Sequence, residues 1–432
     1  MNRWVRRVLP VLTCLPILRA AGQTGWTLDQ CITVAREHSL ALKSAHNLAL
    51  TSALSQQELA TSKYPQVKLG ALAIYAPTLN HLGYDPAISN GGEYAAQLFV
   101  QQSVYDGGVR ALRADQMQVD VEQRRTDIRK SERDIVFAVR QAYVEVLRAQ
   151  RESELERESV NQLEEYLELI RRLAKGGTAS STDVLKTEVQ IANARLDLQH
   201  ADELVETSTI ALKEATGLPP DTALVLAGAL RALSSSVMEP GAASRLERPD
   251  SSLELLRSGM EVDKSLIDVE VTRHELMPTV SLIADAGLVS SGENLRLPQD
   301  EREPMLGFSV GVTVELPLLN WGATDLRVQQ KQIASENLRL EHEQLLRTVR
   351  AQARTLRVQL ANALKGLHAS QQIIAQADDN FLLTKSKYAT GSALSLEVLA
   401  AQQLLTDSKR RETQALVDVQ TILARIDQLL TW

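Results

Sequence analysis

Laid over itself at an offset of 214 positions, the chain repeats without a gap through its longest proline-free and glycine-free stretch. Val104-Tyr105-Asp106-Gly107-Gly108 falls on Leu318-Leu319-Asn320-Trp321-Gly322. Leu112, Arg113, Gln116, Gln118, Glu122, Arg125, Arg133, Arg140 and Val144 then meet identical residues at 326, 327, 330, 332, 336, 339, 347, 354 and 358. The register persists from Gly177 onto Gly391 and from Val184-Leu185 onto Val398-Leu399. Upstream the offset drops by one, so Leu40, Pro65, Val67 and Leu69 fall on Leu253, Pro278, Val280 and Leu282. A one-residue slip between matched stretches marks a loop of variable length between elements of constant geometry. The chain therefore reads as two copies of one supersecondary unit, built around a helix whose length is kept.

Composition supports long helices over packed globular cores. Aromatics make up only 4% of 432 residues, too few for large dense cores, while Gln, Arg, Glu, Ala and Leu dominate as in coiled coils. Residues 1–22 read as a secretory signal: Arg3, Arg6 and Arg7 precede an apolar run, and Ala20-Ala21-Gly22 offers small cleavage residues. That run is far short of the ~20 residues a spanning helix needs. Removing the signal takes four arginines and no acid, so the net charge falls from −7 to −11, which disfavours nucleic acid as a partner. Cys31 then stands alone, which leaves no disulfide framework and no metal-spaced pair. No later segment is apolar for long enough to span a bilayer as a helix, so an exported membrane protein of this sequence must span by strands.

The unit opens with a helix expected over Thr27 to Ser62 and ended by Pro65. Period-two alternation from Val67 to Tyr75 and from Tyr94 to Val104, around a polar loop from Pro77 to Gly92, reads as a hairpin. From Val109 to Ala174 there is neither proline nor glycine, ~99 Å of helix at ~1.5 Å per residue. Val121, Ile128, Ile135 and Ala142, then Leu163, Leu167, Ile170 and Ala174, trace a coiled-coil seam. The turn Lys175-Gly176-Gly177-Thr178 offers glycine for a left-handed cap. Ser180-Ser181-Thr182-Asp183 supplies N-cap chemistry for a return helix to about Thr216. The second copy predicts a helix over Asp250–Leu276, strands over Thr279–Leu288 and Gly307–Leu316, and a polar loop over Val289–Met305. A helix over Ala323–Ala389 and a return helix to Trp432 complete it.

The run Val314-Glu315-Leu316-Pro317-Leu318-Leu319-Asn320-Trp321-Gly322, which closes a strand and opens a long helix, resembles the TolC family of outer membrane efflux proteins. So do Val104 to Gly108, the turn Gly177 to Leu185 and the turn Gly391 to Leu399. The resemblance covers nearly the whole chain after residue 22. It implies a mainly α chain with long antiparallel coiled-coil helices forming an α-barrel, plus four strands given to a shared trimeric β-barrel. Residues 23–220 and 248–432 would be the two repeats, with 221–247 a linking equatorial segment. Such a homotrimer would sit in outer-membrane lipid, reach through the periplasm, dock a periplasmic adaptor and connect through it to an inner-membrane transporter. Four strands cannot close alone, since membrane barrels start at ~8; three copies give twelve, wide enough for a lumen.

By the same resemblance, Asp183 and Glu397, with Thr182 and Tyr388 beside them, belong to the periplasmic tip and gate. The plainer reading makes the two acids helix N-terminal residues favoured by the macrodipole at ~0.3–1 kcal/mol each. Ala393, Leu394 and Ala400 depart from the charged residues of better-known family tips, which puts polar locking there in doubt. Gly177, Thr178, Gly391 and Ser392 would present the adaptor-docking surface, although any helical hairpin needs a glycine in that place. Asp106, Gly107, Gly108, Pro317, Trp321 and Gly322 mark the strand-to-helix exits, and Tyr75, Tyr94, Tyr105 and Trp321 lie where aromatic belts form. Lys68, Gln101 and Gln102 suit either the lumen or the membrane edge. There is no nucleotide loop, HExxH or placed nucleophile, so no enzyme activity and no cofactor are expected. Charge runs such as Arg124 to Asp134 read as solvated helix faces. Two alternatives stay open: an exported structural coiled coil without a barrel, and a stand-alone diffusion porin.

Overall fold

The computed structural model describes residues 25–75, 92–176, 180–228, 230, 252–291 and 307–430. The signal segment, the two polar loops between paired strands, most of the expected linker and the tip residues Gly177 and Thr178 lie outside them. In chain order the elements are α1 (Leu28–His38), α2 (Leu40–Thr61), β1 (Gln66–Tyr75), β2 (Gly92–Asp106), α3 (Val109–Lys175) and α4 (Ser181–Thr216). They continue as α5 (Leu253–His274), β3 (Thr279–Ser291), β4 (Gly307–Glu315), α6 (Ala323–Ala389) and α7 (Ser395–Leu430). Both long helices have 67 residues and both return helices 36. Each pair begins and ends at positions 214 apart.

The opening helix differs from its expected form. It breaks at Ser39, whose hydroxyl accepts from the Leu42 N–H and caps α2 while its own N–H ends α1 on Ala35 O. The upstream offset of 213 carries Ser39 onto Ser252, which caps α5 in the same way through the Leu255 N–H. A serine can start a helix because its side chain satisfies an orphan amide of the first turn. Inside an unbroken apolar pattern that signal is silent, which is why the break is invisible to periodicity. In the second copy the helix correspondingly spans Leu253–His274 and not Asp250–Leu276.

The four strands form one antiparallel sheet in the order β1-β2-β3-β4, so β2 and β3 join the two halves of the chain. Pairing stretches β2 to Asp106 and β3 to Ser291, past their expected ends, and a bulge at Val104 shifts the register between Ser103 and Tyr105. β4 stops at Glu315, two residues before Pro317.

Helix packing sorts the apolar residues into separate clusters. Val160, Leu163 and Leu167 of α3 meet Ile191 and Ala194 of α4. Ala353, Leu356 and Leu360 of α6 meet Val419, Leu423, Ile426 and Leu430 of α7. A third cluster gathers Cys31 and Ala35 of α1, Val139 to Leu147 of α3, Leu212 of α4 and Leu416 of α7. There the chain start is clasped: Trp26 N–H donates to Val225 O at 2.7 Å and Ala227 N–H to Trp26 O at 2.9 Å. The Tyr143 hydroxyl donates to Ala227 O at 2.7 Å. Deep burial of the α3 seam begins at Val139; Val121, Ile128, Ile135 and Ala142 are only half-buried in one chain.

Cys31 is fully buried in this cluster, and burial pushes its thiol up to about 11. Because the thiolate is the nucleophile, we expect no labelling by iodoacetamide at pH 8 in the folded protein and complete labelling in denaturant. Rapid labelling of the native protein would show that the α1 clasp opens.

Candidate functional site

The sheet has two chemically distinct faces, because directly paired residues share a face and successive residues alternate. One face carries Val67, Leu69, Ala71, Ala73 and Tyr75 beside Tyr94, Ala96, Leu98 and Val100. It continues through Leu282, Ala284, Ala286 and Leu288 to Phe308, Val310, Val312 and Val314. This face is open: Leu69 is 78% exposed, Phe308 83% and Val310 69%. The other face carries Lys68, Gln97, Gln101, Asp285, Ser309 and Thr313, with Leu72, Ile74, Phe99 and Ile283 among them. Ser309 donates to Asp285 across that face. Lys68 and Gln101 therefore belong to the polar face. Gln102 is paired with Leu282 on the apolar side, and its amide turns back to donate to Lys63 O at 3.2 Å. Tyr75 and Tyr94 stand at one end of the apolar face, and the bulge sets Tyr105 on it at the other.

At both strand-to-helix exits a polar side chain caps the turn. Asp106 accepts from the Gly108 N–H at 3.3 Å and the Arg110 N–H at 2.9 Å. Asn320 in the second copy accepts from the Gly322 N–H at 3.2 Å. The turn needs left-handed backbone at two successive residues: φ is +70° at Gly107 and +87° at Gly108, and +55° at Trp321 and +79° at Gly322. Trp321 is the one non-glycine residue with positive φ among the described residues, and it is 88% exposed.

The charge run Arg124 to Asp134 is a solvated face only in part: the Arg125 side chain is 63% exposed. Two of its residues cross to α5: Asp127 pairs with Arg257 at 2.9 Å and Arg133 with Glu254 at 2.6 Å, while Asp120 just upstream takes Lys264 at 2.6 Å. The Arg133 side chain is only 8% exposed. Burial is the largest influence and opposes the Glu254 charge, but the hydrogen bonds and charge of Arg133, a backbone hydrogen bond and the charge of Lys130 together hold the carboxyl below its usual range. Farther along α3, toward α7, the contacts are again polar. Arg140 pairs with Asp427, Arg410 with Glu156 and Lys409 with Glu158. Gln402 Nε2 donates to Ser159 Oγ at 2.8 Å. Glu156 is buried, and burial pushes its carboxyl up against the opposing pull of Arg410. Apolar contacts join the hairpins as well: Tyr166 and Ile170 of α3 lie with Phe381 of α6 and Val398, Ala401 and Leu405 of α7, and Val139 to Leu147 of α3 with Leu416 and Val417 of α7. Single-chain periodicity carries no sign of the ion pairs, because a charge facing another helix looks like a charge facing water.

At the tips, Gly391 ends α6 with φ +78°, and the Ser392 N–H donates to Lys387 O while the Gly391 N–H donates to Tyr388 O. That is a glycine-capped helix end whose geometry fully explains the glycine. Gly176, by contrast, caps α3 in right-handed backbone at φ −81°. The Ser180 hydroxyl accepts from the Thr182 N–H at 3.2 Å. Glu397 accepts from the Leu394 N–H at 2.9 Å, so its carboxylate is engaged with the start of its own helix. Tyr388 and Tyr166 pack edge to face with ring centroids 5.4 Å apart. The Tyr166 hydroxyl, from α3, reaches Ser395 Oγ at 3.1 Å on the first residue of α7. Burial pushes both phenols up, and the charge of Asp183 adds in the same direction. The fold therefore brings Asp183 and Tyr388 together and adds Tyr166, whose role no sequence motif marked. Among the described residues no group of three His, Cys, Asp or Glu side chains is placed to hold a metal ion. No described helix is long and apolar enough to cross a membrane.

Comparison with known proteins follows the same outline. The family model "Outer membrane efflux protein" matches residues 31–218 and 250–431. The chain is 25% identical over 328 residues to the proteases secretion protein PrtF of Dickeya chrysanthemi, across 74% of this chain and 66% of PrtF. It is 24% identical over 347 residues to the alkaline protease secretion protein AprF of Pseudomonas aeruginosa, across 77% of this chain and 68% of AprF. The chain thus spans just under two thirds of PrtF. The crystal structure of CusC superposes with a TM-score of 0.78 at 15% identity, covering 99% of this chain and 98% of that one.

Two substitutions separate backbone strain from steric fit at the exits. A Cβ on Gly107 would lie 2.6 Å from Met277 Cβ, whereas one on Gly322 meets nothing within 4 Å. We expect Gly322→Ala to cost about 1–2 kcal/mol for left-handed backbone alone, and Gly107→Ala distinctly more, read as melting temperatures. At the tip, Tyr166→Phe and Ser395→Ala should each cost about 1 kcal/mol. The double variant should cost less than the sum of the two, since both remove one hydrogen bond; additive losses would mean that this bond contributes nothing.

Proposed function

The chain belongs to the outer membrane efflux protein family, and on that premise we propose that it is the outer-membrane channel of a tripartite efflux pump or type I secretion system. Three copies would each give four strands to a twelve-stranded barrel and their long helices to a periplasmic tube. The observation that carries this reading is the sheet: an exposed apolar face backed by a polar one, at the head of two equal 67-residue helices. Lipid-facing residues outside and polar residues inside are the signature of a membrane barrel. From Tyr94 to Tyr105 the apolar band is ~36 Å along the strand at ~3.3 Å per residue. With the usual ~45° tilt of spanning strands that is ~25 Å of height, the thickness of an outer-membrane apolar band. A structural coiled coil has no use for such a sheet, and a diffusion porin has no use for helices ~100 Å long.

In this reading residues 23–220 and 248–432 are two copies of one unit, joined by 221–247. The apolar sheet face meets outer-membrane lipid, and the tips carrying Gly391 and Ser392, with Gly177 and Thr178, meet a periplasmic adaptor that bridges to an inner-membrane transporter. Conduction through an open duct needs no catalytic group and no cofactor.

Reconstituted into planar bilayers, the protein should conduct with cation preference, because rings of one charge attract counter-ions. Asp183→Asn should reduce that preference more than Glu397→Gln, whose parent carboxylate is already held by the Leu394 N–H. Unchanged selectivity in the double variant would make both acids helix-end residues only. A water-soluble monomer without conductance would overturn the channel reading itself.

A further inference from the structure

We infer that Leu316–Asn320 becomes strand when a second copy lays its β1 edge along it, in the register that β2 and β3 already adopt within one chain, with the second copy's Tyr64 closing over Trp321. The inference rests on the assembly reading above and deepens it. β2 runs 15 residues and β4 only 9. At the offset of 214, the last five residues of β2, Gln102 to Asp106, correspond to Leu316–Asn320. Those residues of β2 have no partner in β1, which ends at the Gln66–Gln101 pair, and are held by β3 alone. Leu316–Asn320 has no such neighbour in its own chain and stays outside the sheet, with Leu318 86% and Leu319 70% exposed. The outer edge of β1 is equally unpaired. Because β1 and β4 run antiparallel, the β4 edge of one copy receives the β1 edge of the next with the polarity that β2 and β3 show.

The exits carry the same asymmetry. The β2 exit is covered from within: Met277 lies against Gly107, and His274 Nδ1 is 2.7 Å from Gly107 O. The β4 exit bears Trp321 in the matching left-handed conformation, with nothing over it. The offset of 213 places Tyr64, itself 59% exposed, where Met277 stands. Glycine fits where the cover is built in, and an aromatic side chain waits where the cover comes from outside. The helices agree. Glu254 and Lys264, which make the ion pairs of the α3–α5 seam, correspond to Ala41 and Thr51 of α2. Exposed Leu48 and Leu54 of α2, with Ile333 and Leu340 of α6, instead offer apolar surface to the neighbour.

Transferring the Val100–Ala284 pair of β2 and β3 by the two offsets pairs Val314 with Ala71 of the second copy. Within one chain these residues lie three strand spacings apart, ~14 Å across the sheet, and farther still along the strands by the printed pairing, beyond the ~7 Å reach of a disulfide. In full-length protein in detergent, Ala71→Cys with Val314→Cys should oxidise to covalent trimers, as should Tyr64→Cys with Trp321→Cys. The shifted pair Leu69→Cys with Val314→Cys should give at least tenfold less product. Native mass of the reduced protein is read in parallel. A trimer in which the shifted pair links instead, or in which neither proposed pair links, overturns the register and leaves the channel reading standing. A trimer linked at 71–314 but not at 64–321 removes the aromatic cover. A monomer overturns both inferences.

Discussion

In the proposed channel the sheet faces lipid, where no water satisfies the N–H and C=O groups of its edges, and the architecture depends on that constraint. Four strands leave two bare edges, β1 and β4, so the chain in isolation is an incomplete object. Unpaired leucines at 316, 318 and 319 and the bare Trp321 mark the same incompleteness in side chains. Joining the two halves through β2 and β3 inside one chain already solves half of the edge problem. In the proposed assembly, copies of the chain would solve the rest by repeating that junction.

Below the sheet, apolar clusters hold each hairpin and also join the two, and ion pairs are added along the seam between them. The α3–α4 and α6–α7 hairpins are held by Leu, Ile, Val and Ala contacts, which lose dispersion energy as soon as they separate. Between the hairpins stand Arg140–Asp427, Arg410–Glu156 and Lys409–Glu158. Such pairs contribute little net stability over their desolvation, yet they set the register between α3, ~100 Å long, and α7, ~54 Å long. The Tyr166–Ser395 bond and the Tyr166–Tyr388 contact fasten the far end of that seam, beside Asp183.

Much of this was legible along the chain. Glycine and proline fix where the long helices begin and end, and their absence over 66 residues leaves a single outcome. Alternation located all four strands to within a few residues. What escaped were one local break, the Ser39 cap hidden in an apolar pattern, and contacts that join residues far apart: the ion pairs of Asp127 and Arg133 with α5, and the Tyr166 bond to Ser395. Nor does the sequence show that local geometry turns the Glu397 carboxylate onto the Leu394 N–H.

Local and periodic chemistry by itself determined the elements: helix length through the lack of breakers, strand faces through alternation, turns through glycine, and the two-copy plan through self-similarity. These properties depend on neighbours within a few residues, so they can be read in one dimension. Only the tertiary structure decided which charges meet one another and which meet water, that β2 pairs with β3, and that Gly107 is covered while Trp321 is bare. A side chain's partner across a seam depends on how whole helices and strands are placed against each other, and no local pattern encodes that placement.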